Sequence, residues 1–474
     1  MSPRPASPLI VLTSVAITVA TGLAVVWQWA EAKTTFAPEP TIAASADPSV
    51  NLATPVLSVR RAPGVLSRGL NVEAFRVELQ PLLAAVDDTS CTAVSVDGQV
   101  VAAAHLALPV IPASNQKLLV AAVALDVLGP SSTFRTSAVG ELRLDGVVAG
   151  DLSLIGGGDP VLTTDAWPTS AQQTYPPLNV TRLEDLADAL VAAGVNRVEG
   201  RVLGDGSRYD DEWFGPSWDP ALRETEGGPY DALLVDDART STTSGAIADD
   251  PALGAAEVFT RLLRERGITV GQGAATGTAP FTTEIAAIES QPLSAIIQEM
   301  LLTSDDNTAE MLVKEIGLFD SGMGTTSAGL QVIGNRLLGW NIPLEGVVLV
   351  DGSGLSRDNR VTCAAIVGVL GHGSIDDPLG DGLPVAGISG TLADVFLASP
   401  VTGTMLAKTG TLSDVKALSG YLPVDGGSTI EFSLILNTPG IDDGTEYLTI
   451  WEDLLVPALV SYPSAATVEQ LGPR

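Results

Sequence analysis

Ser114 and Lys117 stand three residues apart in "PASNQKLLVAAVALDVLG", residues 112–129. At that spacing a helix brings two side chains to one face, one turn apart. A hydroxyl beside an amine can act as a nucleophile beside its base, the minimal equipment for acyl transfer. The plainer account is a serine N-cap with a lysine snorkelling out of the first turn. Yet the chain has only five lysines, and this one precedes a nearly all-aliphatic stretch. An ammonium there is costly unless it is paired or gives up its proton. A second pair at the same spacing, Ser413 and Lys416, has no apolar helix behind it and reads as a turn.

Two later groups add chemistry. "LLTSDDNTAEML" breaks a helical pattern at Ser304 and restarts it after Asn307; by itself this is an N-cap turn. "AKTGT" lies on an expected strand, where Lys408 offers a fixed cation, Gly410 admits a close backbone, and Thr409 and Thr411 offer hydroxyls. By itself it is an edge strand with an exposed lysine. Taken together the groups form one acyl-transfer site. Ser114 attacks, and Lys117, as a neutral amine in a dry cleft, takes its proton. Ser304 relays that proton to the leaving amine, while Lys408 draws in a substrate carboxylate. The backbone N–H groups of Ser114 and Thr411 hold the oxyanion. His105 and His372, the only histidines, stand far apart in sequence and supply neither a base nor a zinc signature. No metal or cofactor is expected.

The elements that must hold these groups follow from periodicity. A helix over 71–87 precedes a hairpin, "CTAVSVDGQVVAAA", turning at Asp97-Gly98. The region 131–288 is richer in strands; its Gly156-Gly157-Gly158 lacks the lysine and hydroxyl of a phosphate loop. Long helices return after about residue 290, and three strands with a hairpin near Asp425–Ser428 end the globular part before a last helix, "YLTIWEDLLVPAL". An antiparallel meander flanked by helices from both chain ends is an α+β layered domain. The expected divisions are 1–32 as signal peptide or membrane anchor and 33–65 as a Pro/Ala-rich spacer. Residues 66–130 and 289–474 then form the main domain, with 131–288 inserted into it.

Composition narrows the class. With 56 Asp and Glu against 25 Lys and Arg, a net charge of −31, the chain lacks the basic face that nucleic acid requires. Residues 8–30 carry no charge and are long enough to span a bilayer, with Trp27 and Trp29 placed for an interface. Ala30-Glu31-Ala32 equally resembles a cleavage site. Either reading puts the rest outside the cytoplasm, on the periplasmic or cell-wall side. There Cys91 and Cys363, the only cysteines, suit one disulfide, with two independent buried thiols as the alternative.

The order Ser-x-x-Lys, Ser-Asp-x, Lys-Thr-Gly resembles the penicillin-binding proteins and serine β-lactamases. "GDLSLIGGGDP", "VEGRVLGDGSRYD", "DGSGLSRDNRVT", "GISGTLADVF" and "AKTGTLSDVKALSGYL" are similar to segments of the D-alanyl-D-alanine carboxypeptidase/endopeptidase family, low-molecular-mass penicillin-binding proteins of type 4 (peptidase family S13). The resemblance implies a transpeptidase-like domain with a β-rich insertion. It also implies an acyl-enzyme on Ser114, peptidoglycan stem peptides as substrates and β-lactams as covalent inhibitors. It further implies an acidic group near "DGSRYD" that meets the amine of a dibasic residue, with Asp205 and Asp210 as candidates; by themselves the two read as solvated turn residues. A β-lactamase, or a weakly active peptidoglycan-binding scaffold, are the competing readings. The family has asparagine where this chain has Asp306. A carboxylate cannot donate to a substrate carbonyl and would hold the proton on Lys117, so acylation is expected to be slow and to quicken as pH rises.

Overall fold

The computed structural model describes residues 19–28, 62–170, 175–223, 225–239, 246–280, 283–425 and 427–471. By contacts the chain forms two units, Leu66–Thr467 and a smaller one of Met1–Val65 with Val468–Arg474. In the smaller unit residues 19–28 are helical and exposed. Most of the 8–30 run lies outside the described residues. Among those described, no helix is long and apolar enough to cross a membrane.

The larger unit is built on two sheets. The first is fully antiparallel. Its strands are β1 (Cys91–Val96), β2 (Gln99–Ala104), β12 (Leu406–Leu412), β13 (Val415–Pro423) and β14 (Thr429–Leu436), in the order β12-β13-β14-β1-β2. Asp97 and Gly98 both have φ > 0, as the two-residue turn joining β1 to β2 demands. Both faces are covered, so β1 reads as an unbroken buried strand. Cys91, Ala93 and Ile435 join a core with helices α3 (Gln116–Val127), α6 (Leu293–Thr303), α7 (Asp306–Ser321), α8 (Thr326–Gly339) and α9 (Cys363–His372). Val94, Val96 and Phe432 point the other way. They pack with Phe75 of α1 (Ala62–Glu78), Leu82 of α2 (Gln80–Ala85), and Trp451 and Leu455 of the closing helical run. A disulfide ties Cys91 to Cys363, joining β1 to the start of α9 as expected.

The second sheet arises between residues 135 and 289 and is mixed. Its path runs β10 (Ala274–Thr276), β8 (Val202–Asp205), β4 (Val147–Ile155), β3 (Arg135–Leu142), β11 (Glu284–Glu289); β7 (Arg197–Val198) pairs with β4, and β9 (Thr269–Val270) with β7. A separate two-strand ladder joins β5 (Leu162–Thr163) to β6 (Thr181–Arg182). Helices α4 (Leu183–Ala192) and α5 (Pro251–Glu265) bury Leu186, Leu190, Phe259 and Leu263 with Leu152 and Leu154 of β4. The architecture is α+β.

Candidate active site

Ser114 lies in a single 3-10 turn, Ala113–Asn115, that leads directly into α3. Its neighbour Ala113 has φ of 46°, a left-handed conformation that a side chain adopts only under outside constraint. The constraint comes from two glycines. Gly354, at φ of 90°, lies so close that a Cβ there would be 2.0 Å from Ala113 O. A Cβ on Gly410 would be 3.1 Å from both Pro112 O and Ser114 N, so the central glycine of "KTG" lets β12 run against the nucleophile turn. Side chains pin the same turn: Asn115 Nδ2 donates to Ser419 Oγ (2.9 Å) and Gln116 Nε2 to Asp351 O (2.9 Å). Gly410→Val is expected to cut acylation by a β-lactam at least about tenfold and to cost about 1–3 kcal/mol in overpacking. Labelling rate and urea unfolding measure the two effects.

Lys117 is fully buried and its three donors are matched: Ser114 Oγ at 3.0 Å, Asp306 Oδ1 at 2.6 Å and Ser353 O at 2.7 Å. Ser304 caps α6 in the left-handed region (φ 64°), and Asp305 caps α7 by accepting from Thr308 N. The second helix therefore restarts at Asp306, earlier than the sequence pattern indicates, which aims Asp306 at Lys117. Asn307 turns elsewhere: its Oδ1 accepts from Gly228 N (3.1 Å) and its Nδ2 donates to Asp237 Oδ1 (3.2 Å). Burial pushes the Asp306 carboxyl up to about 6 against the opposing pull of Lys117.

Lys408 differs from the sequence reading. It is fully buried, and its Nζ donates to Ser304 Oγ (2.8 Å) and Thr409 O (2.9 Å). Burial, reinforced by the charge of Lys117, holds its amine well below the usual lysine range. It is neither an exposed edge lysine nor a cation open to a substrate carboxylate. It reaches the cleft through the Ser304 hydroxyl. Thr409 (Oγ1 to Thr391 Oγ1, 2.8 Å), Gly410 and Thr411 do line the cleft, a cavity of about 860 Å³ that also includes Ser114, Ser304 and Asp306. Trp218, Leu222 and Leu355 give it an apolar wall, and Arg357 a cationic edge. Ser413 also lies at its rim, in the turn between β12 and β13.

Three features escaped the sequence. Glu310, one helical turn beyond Asp306, accepts from Gly352 N and Ser353 N (3.0 and 2.7 Å) and so fixes the carbonyl that receives Lys117. Burial and the neighbouring Asp351 carboxylate push the Glu310 carboxyl upward. Asp351 gathers Gly354 N, Ser356 N, Asn359 Nδ2 and Trp218 Nε1 within 2.6–2.9 Å, giving "DGSGLSRDN" its shape. The third is a mainly acidic cavity of about 220 Å³ beside the cleft, which it meets at Tyr175, Glu226, Thr303, Ser304 and Asp306; Asp237, Glu299 and Asp305 line it as well, with Arg239 the one cation in its lining among the described residues. Asp205 and Asp210 line neither cavity. Asp205 accepts from Ser207 N and Ala279 N, while Asp210 pairs with the buried Lys314 at 2.6 Å. Both carboxylates are engaged by other parts of the fold and neither faces the cleft, contrary to the amine-reading role expected of them.

The chain is similar to known proteins over much of its length. The model of the D-Ala-D-Ala carboxypeptidase 3 (S13) family matches residues 87–246 and 232–452. The D-alanyl-D-alanine carboxypeptidase of Actinomadura sp. strain R39 is 31% identical over 411 residues, covering 69% of this chain and 73% of that protein. Carboxypeptidase DacB of Mycolicibacterium smegmatis is 31% identical over 361 residues, 70% and 72% of the two chains. Penicillin binding protein 4 (dacB) of Haemophilus influenzae shares the fold, with a TM-score of 0.67 at 21% identity over 83% of this chain and all of that one. The chain belongs to the D-Ala-D-Ala carboxypeptidase 3 (S13) family of peptidases.

Proposed function

We propose that the protein is a serine-type D-Ala-D-Ala carboxypeptidase/endopeptidase that cleaves peptidoglycan stem peptides outside the cytoplasm through an acyl-enzyme on Ser114. One observation carries this reading: at the edge of the cleft Ser114 Oγ meets Lys117 Nζ at 3.0 Å, while among the described residues no histidine lines either cavity. Lys117 can serve as ammonium or as amine without losing a partner. As ammonium it donates to all three neighbours. As amine it donates to Asp306 and Ser353 and accepts from the Ser114 hydroxyl. Ser114 attacks the carbonyl of the penultimate D-alanine, the backbone N–H groups of Ser114 and Thr411 take the oxyanion, and Ser304 hands a proton to the leaving D-alanine. The terminal carboxylate of the substrate meets the hydroxyls of Thr409 and Thr411, with Lys408 orienting Ser304 from beneath. A cationic side chain of a stem peptide would find its counter-charges in the acidic cavity next door.

The β-lactam complex described for the Haemophilus influenzae protein, which shares this fold, supports β-lactams as ligands of the cleft. Labelling with a fluorescent penicillin, followed by mass mapping of the adduct, tests the reading. A slowly released adduct on Ser114 and D-alanine release from a D-Ala-D-Ala peptide are expected. An adduct on another residue, or none, removes the proposal, and rapid turnover of the penicillin would make the protein a β-lactamase. Lys408→Ala is expected to lower kcat/KM on such a peptide at least about tenfold, by freeing Ser304 and leaving a hole under the strand. Unchanged kcat/KM would show that Lys408 does not orient Ser304.

A further inference from the structure

The three partners of Lys117 differ in kind. Ser353 O can only accept a hydrogen bond, Ser114 Oγ can accept or donate, and Asp306 Oδ1 can accept and can also bind a proton outright. Ser114 Oγ, Lys117 Nζ and Asp306 Oδ1 therefore form a chain of two contacts, 3.0 and 2.6 Å long. Lys117 is 0% exposed and Asp306 7%. An asparagine at 306 would end the chain at the lysine, and Asn307, the neighbouring amide, is occupied by Gly228 and Asp237. For two groups this deeply buried an ion pair loses much of its advantage over the neutral amine–acid pair, because both charges are largely desolvated. The surroundings favour a proton on Asp306. Burial pushes it up to about 6, the carboxylates of Asp305 and Glu226 act in the same direction, and Lys117 opposes them. Lys408, the other lysine facing Asp306, is itself driven toward its neutral form by burial and by Lys117.

Resting on the acyl-enzyme reading, we infer that Asp306 is the terminal acceptor of the proton that Ser114 gives up, received by way of Lys117. Before attack the site holds a hydroxyl, an ammonium and a carboxylate. As the Ser114 Oγ–carbon bond forms, the hydroxyl proton passes to Lys117 while Lys117 passes one of its own to Asp306 Oδ1. The site then holds an oxyanion, an ammonium and a carboxylic acid. When the amide C–N bond breaks, the acid returns its proton to Lys117 as Lys117 gives one up toward the leaving nitrogen, to which Ser304 in the same cleft hands the final proton, and Asp306 is a carboxylate again. Water repeats the same exchange in deacylation. Lys117 never has to release a proton to solvent before attack. Read from sequence, the carboxylate only holds the proton on Lys117; in this geometry it relieves Lys117 of it.

The test is the rate of acylation by a fluorescent penicillin from pH 5 to 9, for the full protein and for Asp306→Asn. Asp306 acts through Lys117, so the shape of the profile is the readout; a merely structural role would lower the rate by one factor at every pH. For the unaltered protein the rate is expected to be level at neutral and alkaline pH and to fall as pH drops through about 6, where Asp306 gains a proton and ceases to be an acceptor. Asp306→Asn is expected to be at least about tenfold slower at pH 7 and to climb by up to about tenfold per pH unit, because its lysine must first lose a proton to solvent. Asp306→Glu keeps an acceptor and is expected to keep the level profile, which also serves if the asparagine variant fails to fold. Parallel profiles, an asparagine variant at least as fast at pH 7, or a climbing profile for Asp306→Glu would each overturn the relay while leaving the acyl-enzyme reading intact. An unaltered protein that folds but is acylated at no pH would overturn both.

Discussion

Ser114→Ala is expected to give a folded protein that no β-lactam acylates and that releases D-alanine at least about a thousandfold more slowly. The chemical loss is total because the attacking atom is gone, and Ser413, the serine of the other Ser-x-x-Lys pair, lies in the turn before β13, where Lys416 donates instead to Thr411 Oγ1 at 3.1 Å. The structural cost is small. The substitution removes one hydroxyl and one hydrogen bond, about 0.5–1.5 kcal/mol, and Lys117 keeps Asp306 and Ser353 O as partners. Mass spectrometry after incubation with penicillin, beside a thermal unfolding curve, separates the two effects. A stoichiometric adduct on the variant would show that Ser114 is not the nucleophile.

The second large effect concerns stability. Cys91 and Cys363 close a loop of 272 residues, and a cross-link across so long a segment stabilises by about 4–5 kcal/mol, chiefly by restricting the unfolded chain. Both sulfurs are buried, Cys91 against the core under α3 and Cys363 beside the Ser433 hydroxyl, so the bridge is shielded from reductant in the folded state. Replacing both cysteines with alanine is expected to lower the free energy of unfolding by about that amount, measured by urea titration without reductant. Peptide mapping that finds two free thiols, or a double variant as stable as the parent, would refute it.

Much of the fold was legible because its signals are local: the Asp97-Gly98 turn, the meander after residue 405, and the apolar run after Lys117. The Ser-x-x-Lys, Ser-Asp-x and Lys-Thr-Gly groups could be read for the same reason, since each keeps its residues within a few positions. What stayed hidden depends on where side chains point after distant segments meet. Nothing in "AKTGT" indicates that Lys408 ends fully buried, with Ser304, 104 positions earlier in the chain, as a partner. Asp205 and Asp210 appear free in "DGSRYD" until backbone amides near residue 279 and the buried Lys314 claim them. Glu310 is one acidic residue among many along α7 until its two partners arrive from a loop some forty positions later.

The pairing of β1 with β14 also governs time. Thr92 Oγ1 donates to Ser433 O across 341 positions of chain, and the nucleophile turn is held by Ser419 and Gly410 from strands of that same late segment. A chain emerging N-terminus first can form the β1–β2 hairpin early, and can complete the second sheet, whose strands lie between residues 135 and 289, before β12 exists. Contacts of such long range form last. Until β12–β14 arrive, Ala113 has no reason to hold its strained angle and Ser114 has no strand beside it. Peptidase activity is then the last property the chain acquires, and an unfinished molecule cannot cut anything on the way to its destination.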